Sequence, residues 1–359
     1  MKIIYLLLGA AMLAALMLVG LGCEREVTYQ SDDDGQASLN SCFTCHGEEG
    51  TLLAAKGEWE NSVHASGSNV DYTNRSESYY DCVRCHDHQG FVDFVETGTY
   101  YPPYDQVSAI HCFTCHSPHD RGDLSLRMDD AYVLEDGSVF NHGAANLCVN
   151  CHHSRFDVAD IVDSLSLSPY WGPHHGPQGD LLAGTNGYEY DSYTYETSPH
   201  AFAVEDGCVG CHMGNVQTHD GYEVGGHSFN MMFVNEAGDT TTLVKICADS
   251  ACHPTATNYD VDGAQTEIAE LLEDLTTLLY DYGVVSSTGS PLSGVVEDKN
   301  VIGAVYNLVM VEEDRSMGVH NFKYMKGLLE SSIEYMESLT PPTASGGNDL
   351  SMLPVKSSH

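Results

Sequence analysis

The feature that most constrains this chain is a cysteine pair followed at once by histidine, which occurs six times. Of the 13 cysteines, 12 belong to these pairs and only Cys23 is left over. Two residues separate the cysteines in the first five motifs, and four separate them in the sixth. In chain order, motifs 1 to 6 are Cys42, Cys45 and His46; Cys82, Cys85 and His86; Cys112, Cys115 and His116; Cys148, Cys151 and His152; Cys208, Cys211 and His212; and Cys247, Cys252 and His253.

The spacing within these motifs suits covalent attachment of heme. Two thiols one turn apart add to the two vinyl groups of one porphyrin, and the next residue presents an imidazole to the iron. Zinc sites and thioredoxin-like centres also use paired cysteines, but neither requires a histidine after every pair. The motifs therefore predict six covalently bound heme c groups, with the motif histidines as proximal iron ligands. The wider spacer of motif 6 must bulge to span the same vinyl groups.

The chain has more histidines than the motifs use. After six of the 19 histidines are assigned as proximal ligands, enough remain to give every iron a second histidine. An axial methionine raises the reduction potential of a heme, whereas paired histidines keep it lower. The surplus therefore predicts bis-histidine hemes and a low-potential electron carrier.

The N-terminal segment predicts export. Residues 1–22 form an apolar signal peptide, and the position of Cys23 after Gly20-Leu21-Gly22 resembles a lipoprotein signal, in which Cys23 is lipidated. Two alternatives remain open: an uncleaved membrane anchor, because about 20 apolar residues can span a bilayer, and cleavage that leaves Cys23 free. Residues 23–40 are predicted to be a polar tether. The expected location is the periplasm, the outer membrane or the cell surface.

The rest of the chain divides by composition. Residues 41–255 are rich in Gly, Pro, Asp and Tyr, which predicts a six-heme domain of loops and single helical turns, with a hairpin at 132–140 and a strand at 229–234. Residues 256–340 have apolar positions at helical spacing, which predicts a helical cap on the heme core. Its helices are expected around 268–279, 299–313 and 321–339. Residues 341–359 are predicted to be a disordered tail.

The predicted fold class is mainly α with much irregular loop and few short β-strands: a multiheme cytochrome c core stapled by covalent hemes, with a C-terminal helical cap.

The net charge limits the classes of partner that the chain can bind. With 52 acidic against 14 basic residues, the formal charge of −38 repels phosphate backbones, so nucleic acid is excluded as a partner. The charge favours solubility, or docking to basic redox proteins.

Several phrases resemble those of large multiheme cytochromes from metal-reducing bacteria, a family that includes outer-surface cytochromes and filament formers. They are Gly57–His64, Ser117-Pro118-His119, Gly172–Gln178, Ser198-Pro199-His200, Gly225–Phe229 and Gly318-Val319-His320-Asn321. The resemblance implies that histidines in such phrases are distal iron ligands. This gives seven candidates for six places: His64, His119, His174, His175, His200, His227 and His320.

The remaining histidines lack such a phrase. His88, His111, His142, His153 and His219 are expected in solvent or near a heme propionate, and His359 in the tail.

The expected function is electron transfer along a chain of bis-histidine hemes, in respiratory or extracellular electron transfer, by a single carrier or a filament subunit. The expected partners are a redox donor and acceptor protein or copies of the chain itself, with membrane attachment through a lipid on Cys23. The alternative is a multiheme reductase of a small nitrogen or sulfur oxyanion, which needs one iron with an open position. Nitrite reductases of this type mark that heme with lysine, and no Cys-x-x-Cys-Lys occurs in the sequence.

Overall fold

The computed structural model describes residues 50–66, 73, 77–204, 206–219, 222–249 and 252–339. The predicted signal peptide 1–22, Cys23, the tether 23–40, motif 1 and the tail 341–359 lie outside the described residues. The chain divides into two units, 1–48 and 49–359, and every described residue belongs to the second. We describe that unit as two regions, the motif region (residues 50–253) and the C-terminal helices (residues 264–338).

The motif region is built from short elements, none of them longer than three helical turns. Its helices are α1 Gly50–Glu60, α2 Val83–His86, α3 His88–Thr97, α4 Cys112–Cys115, α5 Pro118–Arg121, α6 Ala145–Val149, α7 Val158–Asp163, α8 Gln178–Ala183, α9 His200–Ala203, α10 Cys208–His212 and α11 Lys245–Asp249. Single 3-10 turns lie at Val63–Ser66, Glu77–Cys82, Gly226–Ser228 and Val261–Gly263.

The strands are two or three residues long and pair only in twos within the described residues. They are β1 Tyr132–Val133, β2 Val139–Phe140, β3 Ser166–Leu167, β4 Gln217–His219, β5 Tyr222–Val224, β6 Met232–Val234, β7 Thr240–Thr242 and β8 Gly294–Val295. The predicted hairpin is present as β1 and β2, with Tyr132 opposite Phe140 and with Gly137 at φ 85° in the turn. The predicted strand at 229–234 is shorter, because Phe229 has a left-handed backbone and pairing begins at Met232.

The C-terminal helices are long and continuous: α12 Ala264–Tyr282, α13 Lys299–Asp314 and α14 Phe322–Ser338. In α12 the buried positions are Ile268, Leu272, Leu275 and Leu279, whose spacing places them on one face. The helix ends at Gly283 (φ 87°), whose N–H donates to the Leu279 carbonyl at 3.0 Å. All three helices expected from the apolar spacing are therefore present.

Helix α13 is buried on nearly every side, since it packs against α12, α14 and α7, while α12 and α14 also pack against each other. Its polar side chain Asn307 is fully buried and satisfied: its Oδ1 accepts from the Tyr188 N–H at 2.8 Å, and its Nδ2 donates to the Tyr188 carbonyl at 2.9 Å. On the same helix, the Tyr306 hydroxyl lies 3.2 Å from Ser154 Oγ. Side-chain hydrogen bonds thus tie the C-terminal helices to residues 154–188.

Buried apolar side chains are unevenly distributed. One large cluster contains the cores of α12, α13 and α14 together with Val162, Leu167 and Leu181. The other cluster is small and consists of Leu134, Phe140, Ala145, Val149 and Leu182. Among the described residues, no helix combines the length and apolarity that crossing a membrane requires.

Candidate heme sites

Motifs 2 to 6 each place cysteines on a helical turn. Cys85 lies in α2, Cys112 and Cys115 in α4, and Cys208 and Cys211 in α10. Motif 4 begins in α6 and motif 6 in α11. None of the ten described cysteines forms a disulfide. A helical turn projects its two thiols to one side, which is the geometry that attachment to two vinyl groups requires.

The wide motif 6 closes in the same way as the shorter motifs. In motif 3 the His116 N–H donates to the Cys112 carbonyl at 2.9 Å, and in motif 4 the His152 N–H donates to the Cys148 carbonyl at 3.0 Å. In motif 6 the His253 N–H reaches the Cys247 carbonyl at 3.2 Å, although two more residues lie between them. The hydrogen bond from the histidine N–H to the carbonyl of the first cysteine is therefore present in all three motifs, and the two extra residues of motif 6 do not prevent it.

The histidines of motifs 2 to 6 each face one histidine from a distant part of the chain. The ring centroids are separated by nearly the same distance every time. The pairs are His86 with His174 at 6.2 Å, His116 with His227 at 6.3 Å, His152 with His64 at 6.1 Å, His212 with His320 at 6.3 Å, and His253 with His200 at 6.0 Å.

This separation fits one iron between two imidazoles. Metal–imidazole bonds are about 2.0–2.1 Å, and about 1.1 Å more leads from each nitrogen to its ring centre, so two trans ligands have centroids about 6 Å apart. Within the described residues no group of three or more His, Cys, Asp or Glu side chains is arranged to hold a metal ion. The residues present thus suit an axial pair of imidazoles with a planar macrocycle between them.

The second ring nitrogen of six paired histidines has a partner. Nδ1 lies 3.4 Å from the Ser125 carbonyl in His116, 3.2 Å from Gln178 Oε1 in His152, 2.6 Å from the Val319 carbonyl in His200, 2.9 Å from the Phe229 carbonyl in His212, 3.4 Å from Glu58 Oε2 in His227 and 2.6 Å from Asp314 Oδ1 in His320. All of these partners are acceptors, so Nδ1 donates and Nε2 keeps a lone pair. Histidines that bind metals are usually oriented in this way.

Burial also favours the neutral form that ligation needs. Burial, with a smaller contribution from His152, lowers the pKa of His64 to about 4. Burial likewise lowers the pKa of His174 to about 4, helped by the positive charge of Arg155. For His320, burial lowers the pKa, but the adjacent Asp314 carboxylate outweighs it and the net pKa is raised.

Local structure explains how the partner histidines are presented. His64 and His227 lie on 3-10 turns, and His200 begins α9 directly after Pro199. His174 has a left-handed backbone, with φ 73°. His320 precedes α14, whose N-cap Asn321 accepts from the Ser198 N–H at 2.8 Å, so one asparagine ties His320 to the turn before His200.

Five of the seven predicted distal histidines face a motif histidine: His64, His174, His200, His227 and His320. The other two are placed differently. The His175 side chain is 61% exposed, with Nδ1 2.7 Å from Glu313 Oε2. His119 is exposed beside Phe113, at a centroid distance of 5.6 Å. Motif 1, with His46, lies outside the described residues.

The histidines without a family phrase have other surroundings. The rings of His88 and His111 are tilted by 40° with a centroid distance of 3.9 Å, and His142 lies beside Phe140 at a centroid distance of 4.5 Å. His153 is buried, and its Nδ1 lies 2.5 Å from the Ser154 carbonyl. His219 lies in β4, and His359 is outside the described residues.

Sequence reasoning missed three residues that contact the pairs. Asp314 and Glu58 accept from distal histidines, and nothing in their sequence spacing indicates this. Phe229 contacts three of the histidine pairs. The centroid of its ring lies 4.9 Å from that of His64 and 6.2 Å from that of His227, and its carbonyl accepts a hydrogen bond from His212. The only signal for Phe229 in the sequence was its position in the Gly225–Phe229 phrase, which also contains His227.

Residues of different motifs also contact each other. The Cys85 thiol donates to the Asn150 carbonyl at 3.8 Å, which places motif 2 beside motif 4. Helices α6 and α10, which hold Cys148 and Cys208, pack against each other, which places motif 4 beside motif 5. Motif 4 therefore lies between motifs 2 and 5.

No family model matches the chain. It is 22% identical to the C-type polyheme cytochrome OmcB of Geobacter sulfurreducens, over 84% of this chain and 55% of OmcB. It is also 22% identical to the C-type polyheme cytochrome OmcC of that organism, over 84% of this chain and 43% of OmcC. The chain spans about half the length of these curated relatives. Among solved structures, the outer cell wall cytochrome OcwA aligns with a TM-score of 0.49 and 19% identity, over 78% of this chain and 49% of OcwA.

Proposed function

We propose that this chain, which is homologous to the polyheme c-type cytochromes of Geobacter, is an exported six-heme cytochrome that carries electrons along closely spaced bis-histidine sites. The observation that carries the proposal is the set of five histidine pairs at centroid distances of 6.0 to 6.3 Å. Each pair joins one motif histidine to one remote histidine. Repetition of one distance at five places is expected if each pair brackets an iron.

The residues divide the work of holding each group. The two motif cysteines would form the thioether bonds, and the motif histidine and the remote histidine would hold the iron between them. Each heme supplies an iron that gains and loses one electron. The Nδ1 hydrogen bonds fix the ring orientation, and burial of the imidazoles keeps water from competing for the metal.

The route of the electron follows from the contacts between motifs. A thioether sulfur is bonded directly to its porphyrin, so the contact of Cys85 with Asn150 and the packing of α6 against α10 would bring two pairs of porphyrin edges together. This predicts a row in which motif 4 lies between motifs 2 and 5. Phe229 contacts ligands of motifs 3, 4 and 5, which favours motif 3 as a side branch near the same point.

The proposal includes a location and partners. The chain is exported, to the periplasm, the outer membrane or the cell surface, and a lipid on Cys23 would attach it to a membrane. The partners are a redox donor and acceptor protein, or copies of this chain if it assembles into a filament. The formal charge of −38 favours partners with basic docking surfaces.

The first test is electron paramagnetic resonance on the oxidised, purified protein, with intact mass to count hemes. Six hemes with only low-spin ferric signals are expected, because the five pairs would close five irons and His119 remains as the candidate second ligand for the iron of motif 1. The angles between ring planes sharpen this expectation. The pairs His86–His174 and His200–His253 are nearly perpendicular, at 85° and 87°, and should give signals with a larger leading g value than His212–His320 at 41°. A substantial high-spin signal would favour the reductase alternative.

Adjacent histidines provide a matched pair of variants. His174→Ala should open the iron of motif 2 and convert one heme to high spin, because His174 faces His86. His175→Ala should leave all signals low-spin, because His175 faces Glu313 at the surface. Equal effects of the two variants would contradict the proposed ligand set.

A further inference from the structure

One buried carboxylate lies against a proposed distal ligand. Asp314 is the last residue of α13, and its side chain is fully buried. Its Oδ1 accepts from His320 Nδ1 at 2.6 Å. Its Oδ2 accepts from the Ser316 N–H at 3.1 Å and also from the Ser316 hydroxyl. Three donors therefore converge on this one side chain.

The bonding pattern shows what Asp314 does electrostatically. An ionised carboxyl group can only accept hydrogen bonds, and all three groups that contact the Asp314 side chain can donate them. A negative charge bonded to Nδ1 increases the electron density of the imidazole, and burial keeps the charge from being screened. Glu58 makes the comparable contact to His227, but at 3.4 Å. The opposite member of the Asp314 pair, His212, donates to the Phe229 carbonyl at 2.9 Å.

We propose that Asp314 is a positioning residue that orients His320 and lowers the reduction potential of the motif 5 iron. The inference rests on the proposed function, since it takes His212 and His320 as the axial ligands. Reduction adds one electron to the iron, changes ferric to ferrous and breaks no bond. Electron-rich axial ligands and a nearby negative charge stabilise the ferric state more than the ferrous state. The site held by Cys208 and Cys211 is then among the last to accept an electron.

This places an uphill step within the row of sites. Motif 5 adjoins motif 4 through the packing of α6 against α10. An electron that moves from motif 4 to motif 5 must therefore enter a site of lowered potential. Asp314 regulates that passage without contacting the iron.

The test is a redox titration of the intact, heme-loaded protein, followed by electron paramagnetic resonance and visible spectra. Asp314→Asn keeps the side-chain shape and removes the charge. We expect one low-spin heme to become easier to reduce by about tenfold in its equilibrium constant, or about 59 mV for a one-electron couple. Glu313→Gln is the matched control, because Glu313 is the neighbouring acidic residue and accepts from His175 at 2.7 Å instead. That variant should leave every midpoint potential unchanged.

The outcomes separate this inference from the proposed function. If Asp314→Asn keeps every heme low-spin and shifts no midpoint potential, the inference is overturned while the six-heme carrier stands. If that variant releases His320 and a high-spin signal appears, the Ser316→Ala variant tests the inference instead. Without the Ser316 hydroxyl the Asp314 carboxylate has one donor fewer, and its negative charge acts more strongly on His320. A lowered potential at one low-spin heme then supports the inference, and no shift overturns it. Absence of bound heme in the parent protein would contradict the proposed function itself.

Discussion

The motif region and the C-terminal helices are stabilised in different ways. The C-terminal helices have a continuous apolar core, in which Leu275, Val305 and Met325 are fully buried. The motif region has helices of 4 to 11 residues, two- or three-residue strands and a small apolar cluster of its own. Isolated helices and hairpins of that length are marginal in water. We infer that the proposed hemes would supply most of the buried surface in the motif region.

The sharpest way to break this comparison is to remove the hemes. Protein made without heme attachment should lose its fixed structure in residues 50–253, because the side chains that would pack on the porphyrins lose their partners. Residues 264–338 should keep part of their helical protection. Amide hydrogen exchange, measured by region on the apo and the loaded protein, checks both expectations. Equal protection of the motif region in the two forms would show that its protein contacts suffice.

The reverse experiment truncates the core of the C-terminal helices. Leu275→Ala should cost about 2–5 kcal/mol of unfolding free energy, because Leu275 is fully buried and a cavity would remain. The low-spin signals should be unchanged, since Leu275 belongs to the apolar cluster of the C-terminal helices. The control is Leu292→Ala, at a side chain that is 38% exposed, where a much smaller loss is expected. Denaturant unfolding followed at the helices and at the heme band measures both quantities.

The sequence predicted the chemistry of the sites better than their assembly. The resemblance to multiheme c-type cytochromes is confirmed by the Geobacter relatives, and the three C-terminal helices follow from apolar spacing alone. The motif spacing predicts the attachment cysteines and the proximal histidines, because that chemistry is local. The pairing of His116 with His227 joins distant parts of the chain, and local spacing carries no information about it. Asp314 was missed for the same reason: its role depends on the turn that returns His320 to it.

A pH-dependent prediction concerns the border between the two regions. Burial raises the pKa of Asp180 to about 6, although hydrogen bonds from the Ser154 N–H at 2.6 Å and Asn186 Nδ2 at 3.0 Å oppose this. The folded state therefore holds its proton more tightly than the unfolded state, whose pKa is near 3.8. The stabilisation is fully present below pH 3.8 and is lost as the pH rises to about 6. By linkage it amounts to about 2–3 kcal/mol.

The measurement for Asp180 is the unfolding free energy at several pH values between 4 and 7. The unfolding free energy of the Asp180→Asn variant is subtracted from that of the parent protein at each pH. This difference should fall by about 2–3 kcal/mol as the pH rises, because asparagine does not titrate. The control is Asp191→Asn at an exposed position, which leaves the buried carboxyl group of Asp180 in place. A flat difference for Asp180→Asn would contradict the sign argued for the buried carboxyl group.

The smallest expected effect concerns Phe229. In the motif region this aromatic ring packs against proposed ligands, whereas aromatic and aliphatic side chains of the C-terminal helices pack into an apolar core. Phe229→Leu keeps the backbone carbonyl that accepts from His212 and removes the ring beside His64 and His227. Since the ring is only partly buried, we expect a stability loss below about 1.5 kcal/mol. We also expect small changes in the low-spin signals of motifs 3 and 4, because these two ligand rings gain freedom to rotate, and no change at motif 5. Phe233→Leu, which alters a ring stacked on Tyr222, should leave all signals as they are. If Phe229→Leu instead cost several kcal/mol with unaltered signals, the ring would belong to an apolar core, and the distinction between the two regions would fail at this point.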